Sequence, residues 1–130
     1  MPAGGPTILL VEDDDGIRDV LLSLLEDDGY AVVAARNGQE ALDVLAAQPL
    51  PRLLFLDLMM PTLNGWRLLE LMAKDERLAQ IPVVVFSAYA DAVPASDFAL
   101  PPVAILTKPV DLDRFLEIAH RFCGPGAESR

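Results

Sequence analysis

The chain has 130 residues, 52% of them hydrophobic and 23% charged, which fits one globular domain with a full-sized core and excludes a disordered chain. Its 20 acidic residues outweigh 10 basic ones for a net charge of −10, with no basic stripe, so direct nucleic-acid binding is not expected. The one cysteine, Cys123, excludes an intrachain disulfide and a cysteine metal site and fits a reducing cytoplasm.

The N-terminal MPAGGPT lacks the basic and apolar regions of a signal peptide. No apolar stretch is long enough for a membrane span. Residues 1–6 read as a flexible N-terminus, 7–123 as the domain and 124–130 as a flexible tail.

In chain order, Thr7–Val11 reads as a buried strand that runs into Glu12, Asp13, Asp14 and Asp15. Ile17, Val20, Leu21, Leu24 and Leu25 recur at helical spacing and predict an apolar stripe, with Gly29 ending the helix. Ala31–Ala35 is a second strand. Asn37 and Glu40 resemble a capping box for a helix that turns Ala41, Leu42 and Leu45 inward. Leu53–Leu56 forms a third strand with Asp57 at its end, and Pro61 and Gly65 punctuate the loop that follows.

The spacing of Leu68, Leu69 and Met72 predicts a helix near Gly65–Lys74. Ile81–Phe86 is a fourth strand, ending in Ser87. A helix over Asp91–Ala99 is expected to be short or irregular, because Pro94 lies inside it and Pro101 and Pro102 follow. Val103–Leu106 is a fifth strand, followed by Thr107, Lys108 and Pro109. Asp111 is the expected N-cap of a last helix with Leu112, Phe115, Leu116 and Ala119 inward. Five alternations of strand and helix predict an α/β fold with a parallel sheet and helices on both faces.

In such a sheet the strand ends share one edge, which is where open α/β folds place their chemistry. Glu12, Asp13, Asp57, Ser87 and Lys108 therefore converge. Each has an ordinary explanation alone: a helix N-terminus, a loop residue, a solvated charge. Together they make a chemical group. Three carboxylates repel one another, and a hard divalent cation such as Mg²⁺ relieves that repulsion. A carboxylate beside it can attack phosphorus, while the cation and a lysine offset charge on the phosphoryl oxygens. A serine hydroxyl can hydrogen-bond one of those oxygens.

The segments ILLVEDD, LDLMMPTLNG, VVVFSA and LTKP, in this order, resemble the response regulator receiver domain, the phosphoacceptor module of two-component signalling. The resemblance runs from about Thr7 to Cys123. It implies a flavodoxin-like (βα)5 fold of strand order 2-1-3-4-5. It implies that Asp57 is the phosphorylated aspartate, with Lys108 and the switch hydroxyl of Ser87 beside it. It further implies Mg²⁺ held by Asp13, Asp57 and the backbone carbonyl of Met59, with Glu12 acting through water. A histidine kinase or phosphotransfer protein would be the donor and a further protein the reader, with no membrane or nucleic acid involved. The Lys108–Pro109 bond is often cis in such domains.

The chain departs from the family pattern at Ile105, where Tyr or Phe is usual, and in the proline-rich stretch VPASDFALPP. An isoleucine has no polar ring tip to exchange between core and solvent, so the segment between the fourth and fifth strands is expected to respond by reordering instead. Two other readings compete. One is a receiver-like interaction domain that is never phosphorylated, against which the complete set of five residues argues. The other is an aspartyl phosphatase, which resembles a pattern with a second Asp where Met59 stands. The expected role is thus a phosphoacceptor that assists its own phosphorylation and dephosphorylation, not an enzyme acting on other substrates.

Overall fold

The structure is a computed structural model that describes residues 8–47, 49–58, 64–87 and 97–124. Five parallel strands, β1 (Ile8–Val11), β2 (Val32–Ala35), β3 (Leu53–Asp57), β4 (Val83–Ser87) and β5 (Ala104–Thr107), form one sheet of order β2-β1-β3-β4-β5. The helices are α1 (Asp15–Asp27), α2 (Gly38–Ala47), α3 (Gly65–Ala73) and α4 (Leu112–Cys123), with a 3₁₀ turn at Leu78–Gln80. This is the flavodoxin-like order expected from the sequence. The expected helix over Asp91–Ala99 falls largely outside the described residues. From Phe98 to Pro102 the chain is irregular.

The sheet separates two cores because successive strand residues face opposite sides. Leu54 and Leu56 of β3 join Leu9, Val11, Val83 and Val85 beneath α2 and α3, against Ala41, Leu45, Leu68, Leu69 and Met72. Leu53 and Phe55 join Ile8, Leu10, Val84 and Phe86 beneath α1 and α4, against Leu21, Leu25, Phe115 and Ile118. Phe55 lies against Phe115 with ring centroids 4.4 Å apart and against Phe86 at 6.5 Å. Truncating such a ring to alanine costs about 3–5 kcal/mol.

Capping side chains start the helices where the strands end. Asp14 accepts from the Ile17 amide at 2.9 Å, Asn64 from Arg67 at 2.9 Å, and Asp111 from Asp113 and Arg114 at 3.0 and 3.2 Å. Asn37 accepts from the Glu40 amide at 2.8 Å, but the return bond differs from a capping box: Glu40 accepts from the Arg36 amide at 2.8 Å, and its carboxylate also pairs with the Arg36 guanidinium. At the end of α1, Gly29 adopts φ 96°, which lets its amide reach Glu26 O at 3.0 Å and the Tyr30 amide reach Leu25 O at 3.1 Å. The Tyr30 hydroxyl then donates to the Gly124 carbonyl, and Asp28 pairs with His120, which ties the end of α1 to the end of α4.

Two residues expected inward face out. Val20 is 52% exposed and Leu112 is 41% exposed. Leu112 opens α4, and the buried stripe starts one turn later with Phe115, Ile118 and Ala119. Val20 sits toward the outer side of α1, next to the buried Leu21. With Ile17, Pro109 and Val110 these two residues line a shallow apolar cavity of about 420 Å³.

Candidate functional site

The carboxyl edge of the sheet gathers the charged residues. β1 ends at Val11, and the Glu12 amide continues its ladder by donating to Ala35 O at 3.0 Å. Glu12 is fully buried and its Oε2 accepts from the Asp14 amide at 3.0 Å. Asp13, next in the chain, is exposed. β3 delivers Asp57, which is 2% exposed and lies in register with Phe86 of β4. Lys108 follows β5, and its Nζ lies 3.0 Å from Glu12 Oε1 and 3.1 Å from Asp57 Oδ2. The ammonium thus bridges two buried carboxylates and lies 5.7 Å from the centre of the Phe86 ring. The Lys108–Pro109 bond is cis.

Carboxylate oxygens of Glu12, Asp13 and Asp57 lie within 4.8 Å of one another. Burial, reinforced by the Asp57 charge, pushes the Glu12 carboxyl up to about 7, against the opposing pull of the Asp14 amide and Lys108. Burial alone would lower the Lys108 ammonium, but its close pairing with the Glu12 and Asp57 carboxylates outweighs that and raises it.

Glu12 Oε1 meets Lys108 as an ion pair at 3.0 Å outside hydrogen-bond geometry, so among the described residues this buried oxygen is held by charge and keeps a lone pair unfilled by a donor. Three oxygen donors, two of them buried, and an orphaned lone pair fit a small hard cation of the Mg²⁺ type.

Three positioning features escaped the sequence reading. Arg18, one turn into α1, donates Nη1 to the Glu12 carbonyl at 3.0 Å and to the Asp13 carbonyl at 3.5 Å, and also pairs with Asp15. An arginine six residues after a strand-end acid is the signal that could have revealed it. Asn64 caps α3 immediately after the loop. Gly65 packs so closely on the end of β3 that a Cβ there would lie 2.7 Å from Asp57 O and from Leu58 Cα, while its amide donates to Leu58 O at 3.0 Å.

Of the residues expected to converge, Glu12, Asp13, Asp57 and Lys108 do so. The backbone of Ser87 ends β4 in register with Thr107, on the same edge. Met59 lies outside the described residues.

Among the described residues, no helix is long and apolar enough to cross a membrane.

Comparison with known proteins converges on one family. The response regulator receiver domain model matches residues 8–120. The polar-differentiation response regulator DivK of Brucella anthropi is 29% identical over 91% of this chain and 96% of its own length. The transcriptional regulator RpaA of Synechocystis sp. is 36% identical over 85% of this chain but only 46% of its own length. A response regulator receiver protein from Pseudomonas putida has a TM-score of 0.81 and 32% identity over 92% of this chain and 99% of that one. Strand order, the acidic edge bridged by a lysine, and these matches together show that the chain belongs to the response regulator receiver domain family.

Proposed function

We propose that this receiver is a phosphoaspartate switch of a two-component system. A carboxylate oxygen of Asp57 attacks the phosphorus of a phosphohistidine. The new O–P bond forms as the N–P bond breaks, and the donor imidazole leaves with the electron pair. Lys108 offsets negative charge on the transferred oxygens, and the Ser87 hydroxyl hydrogen-bonds one of them. Mg²⁺ bound by Asp13, Asp57 and the Met59 carbonyl, with Glu12 acting through water, would supply further charge neutralisation.

One observation carries this reading. Asp57 is a buried carboxylate at a strand tip, 3.1 Å from a lysine and clustered with two further carboxylates. A buried anion so placed is a functional-site feature rather than a solvated loop residue.

The donor is a histidine kinase or phosphotransfer protein. The apolar cavity lined by Val20 and Leu112 reaches Lys108, so a donor docked there would sit beside the phosphoacceptor. The lone buried cysteine fits a cytoplasmic setting, and a downstream protein reads the phosphorylated surface.

Incubation with a small phosphodonor and Mg²⁺, followed by mass spectrometry, tests the proposal. A hydroxylamine-labile phosphoryl adduct is expected on the wild type and not on Asp57→Asn. A wild type that stays unmodified, under conditions that label another receiver, would leave a phosphorylation-independent interaction domain as the correct reading.

A further inference from the structure

The opposite edge of the sheet carries a second concavity of about 420 Å³, between the starts of β3 and β4 and the end of α4. Its floor is apolar, from Ile81, Pro82 and Phe122 among others, and its polar wall consists of Arg52, Arg77 and Gln80. Among the described residues no carboxylate lines it, in a chain with 20 acidic residues and 10 basic ones.

Among the described residues, Arg18, Arg36, Arg67 and Lys108 each pair with a carboxylate, whereas Arg52, Lys74, Arg77, Arg114 and Arg121 pair with none, and of these five only Arg52 and Arg77 line the concavity. The Arg52 charge also reaches the interior: burial pushes the Cys123 thiol up to about 11, and Arg52 works against that shift. Two guanidinium groups with unused donors at one concavity in a strongly acidic chain form a selective anion cradle, because each presents a planar fork matched to phosphate oxygens.

We propose that this cleft binds a small organic phosphate, a monoester whose dianionic head is held by Arg52, Arg77 and the Gln80 amide and whose apolar body rests on Ile81, Pro82 and Phe122. Two positive charges suit a dianion better than a single carboxylate. The volume falls within the range of about 300–1,000 Å³ typical of small-molecule sites. The large exposed hydrophobic residues, Val20, Val103 and Leu112, do not line it, so it lacks the apolar patch that marks a protein-docking face. It lies at the far end of β3 from Asp57, about 15 Å away at a rise of about 3.3 Å per residue. It is thus separate from the phosphoacceptor and does not rest on the function proposed for it.

Titration of the ¹⁵N-labelled full chain with phenylphosphonate, in EDTA to silence the acidic edge, tests the site. Saturable shifts are expected in the amides of Arg52, Arg77, Gln80 and Phe122, with none from benzyl alcohol. Arg52→Gln and Arg77→Gln, both at exposed positions, should each weaken binding at least tenfold, and Arg52→Lys by less. Non-saturating shifts, shifts confined to Asp13, Asp57 and Lys108, or unchanged affinity in both glutamine variants would overturn the proposal. Tighter binding of a glutamate-rich peptide at the same amides would also overturn it, by assigning the cleft to acidic polypeptide.

Discussion

Trp66 and Phe98 stack nearly parallel, with ring centroids 4.8 Å apart and an interplanar angle of 14°. Trp66 lies in the first turn of α3, directly after the loop that follows Asp57, and Phe98 lies in the irregular segment that leads to β5. Their contact links the start of α3, which follows Asp57 in the chain, to the segment that leads into β5. Ile105 also packs on this side, partly buried against the core beneath α2 and α3.

The stack predicts that Trp66 reports activation. Beryllofluoride with Mg²⁺ should change its fluorescence in the wild type, and Phe98→Ala should remove most of that change. Phe98→Ala should also lose the aromatic-pair contribution of about 0.5–1.5 kcal/mol on top of its burial. Hydrogen exchange should alter across residues 97–100 more than within β5. A response confined to β5 would place the output on Ile105 instead.

Glu12 makes metal-free stability depend on pH. Its carboxyl is raised from 4.5 to about 7 in the folded chain, chiefly by burial, so the folded state holds this proton more tightly than the unfolded state. The destabilisation is absent below pH 4.5, grows as pH rises, and is complete above about 7. In EDTA, Glu12→Gln should therefore gain on the order of 1–3 kcal/mol over wild type at pH 8, and that advantage should vanish in acid. Urea melts at both pH values measure it. A variant less stable than wild type at pH 8 would show that attraction to Lys108 dominates burial.

The same cluster predicts an order of metal affinities. Asp13→Asn should weaken Mg²⁺ binding more than Glu12→Gln, because a direct ligand contributes more than one acting through water. Both should raise metal-free stability by relieving carboxylate repulsion. Magnesium titrations followed by Trp66 emission decide the order, and the reverse ranking would exchange the two roles.

Gly65→Ala should damage the site from outside it. The added methyl would meet backbone atoms at 2.7 Å, and backbone cannot rotate away as a side chain can. The expected cost is about 1–3 kcal/mol, as for other overpacked positions. Phosphorylation by a small donor should slow even where the variant is still fully folded. A variant with wild-type stability and rate would show that the end of β3 yields without moving Asp57.

Val20→Asn should slow phosphotransfer from a kinase while leaving labelling by a small phosphodonor unchanged. Val20 is exposed and makes no contribution to the core clusters, so the substitution acts on docking alone. Equal rates from the kinase would move the docking face elsewhere.

The sheet and its acidic edge were legible because buried parallel strands leave uninterrupted apolar runs, and each run here stops at a chemically distinctive residue. Glu12, Asp13, Asp57 and Lys108 could be placed together from strand ends alone. What periodicity misses is which helix positions reach the core, so Val20 and Leu112 read as core although they line an open cavity. Contacts set by three-dimensional approach were equally hidden. The spacing of Arg18 from Glu12 hinted at a contact, but only the fold shows the side chain turning back onto the Glu12 carbonyl, and Gly65 read as loop punctuation although its missing Cβ makes room for β3. Arg52 and Arg77 lie 25 positions apart in the chain, and only the fold brings them to one cleft.

The crowding of carboxylates at one edge also governs how fast an anionic phosphodonor can arrive. A chain of net charge −10 whose acceptor lies among acidic side chains projects a repulsive field toward any approaching phosphate. That field fades over a screening length of about 10 Å at 0.1 M salt and about 30 Å at 0.01 M. Encounter with a free anionic donor should therefore quicken as inert salt is added at saturating Mg²⁺, the opposite of electrostatic steering. A donor protein docked on the mainly apolar cavity beside Lys108 would bypass this barrier and deliver its phosphoryl group at short range.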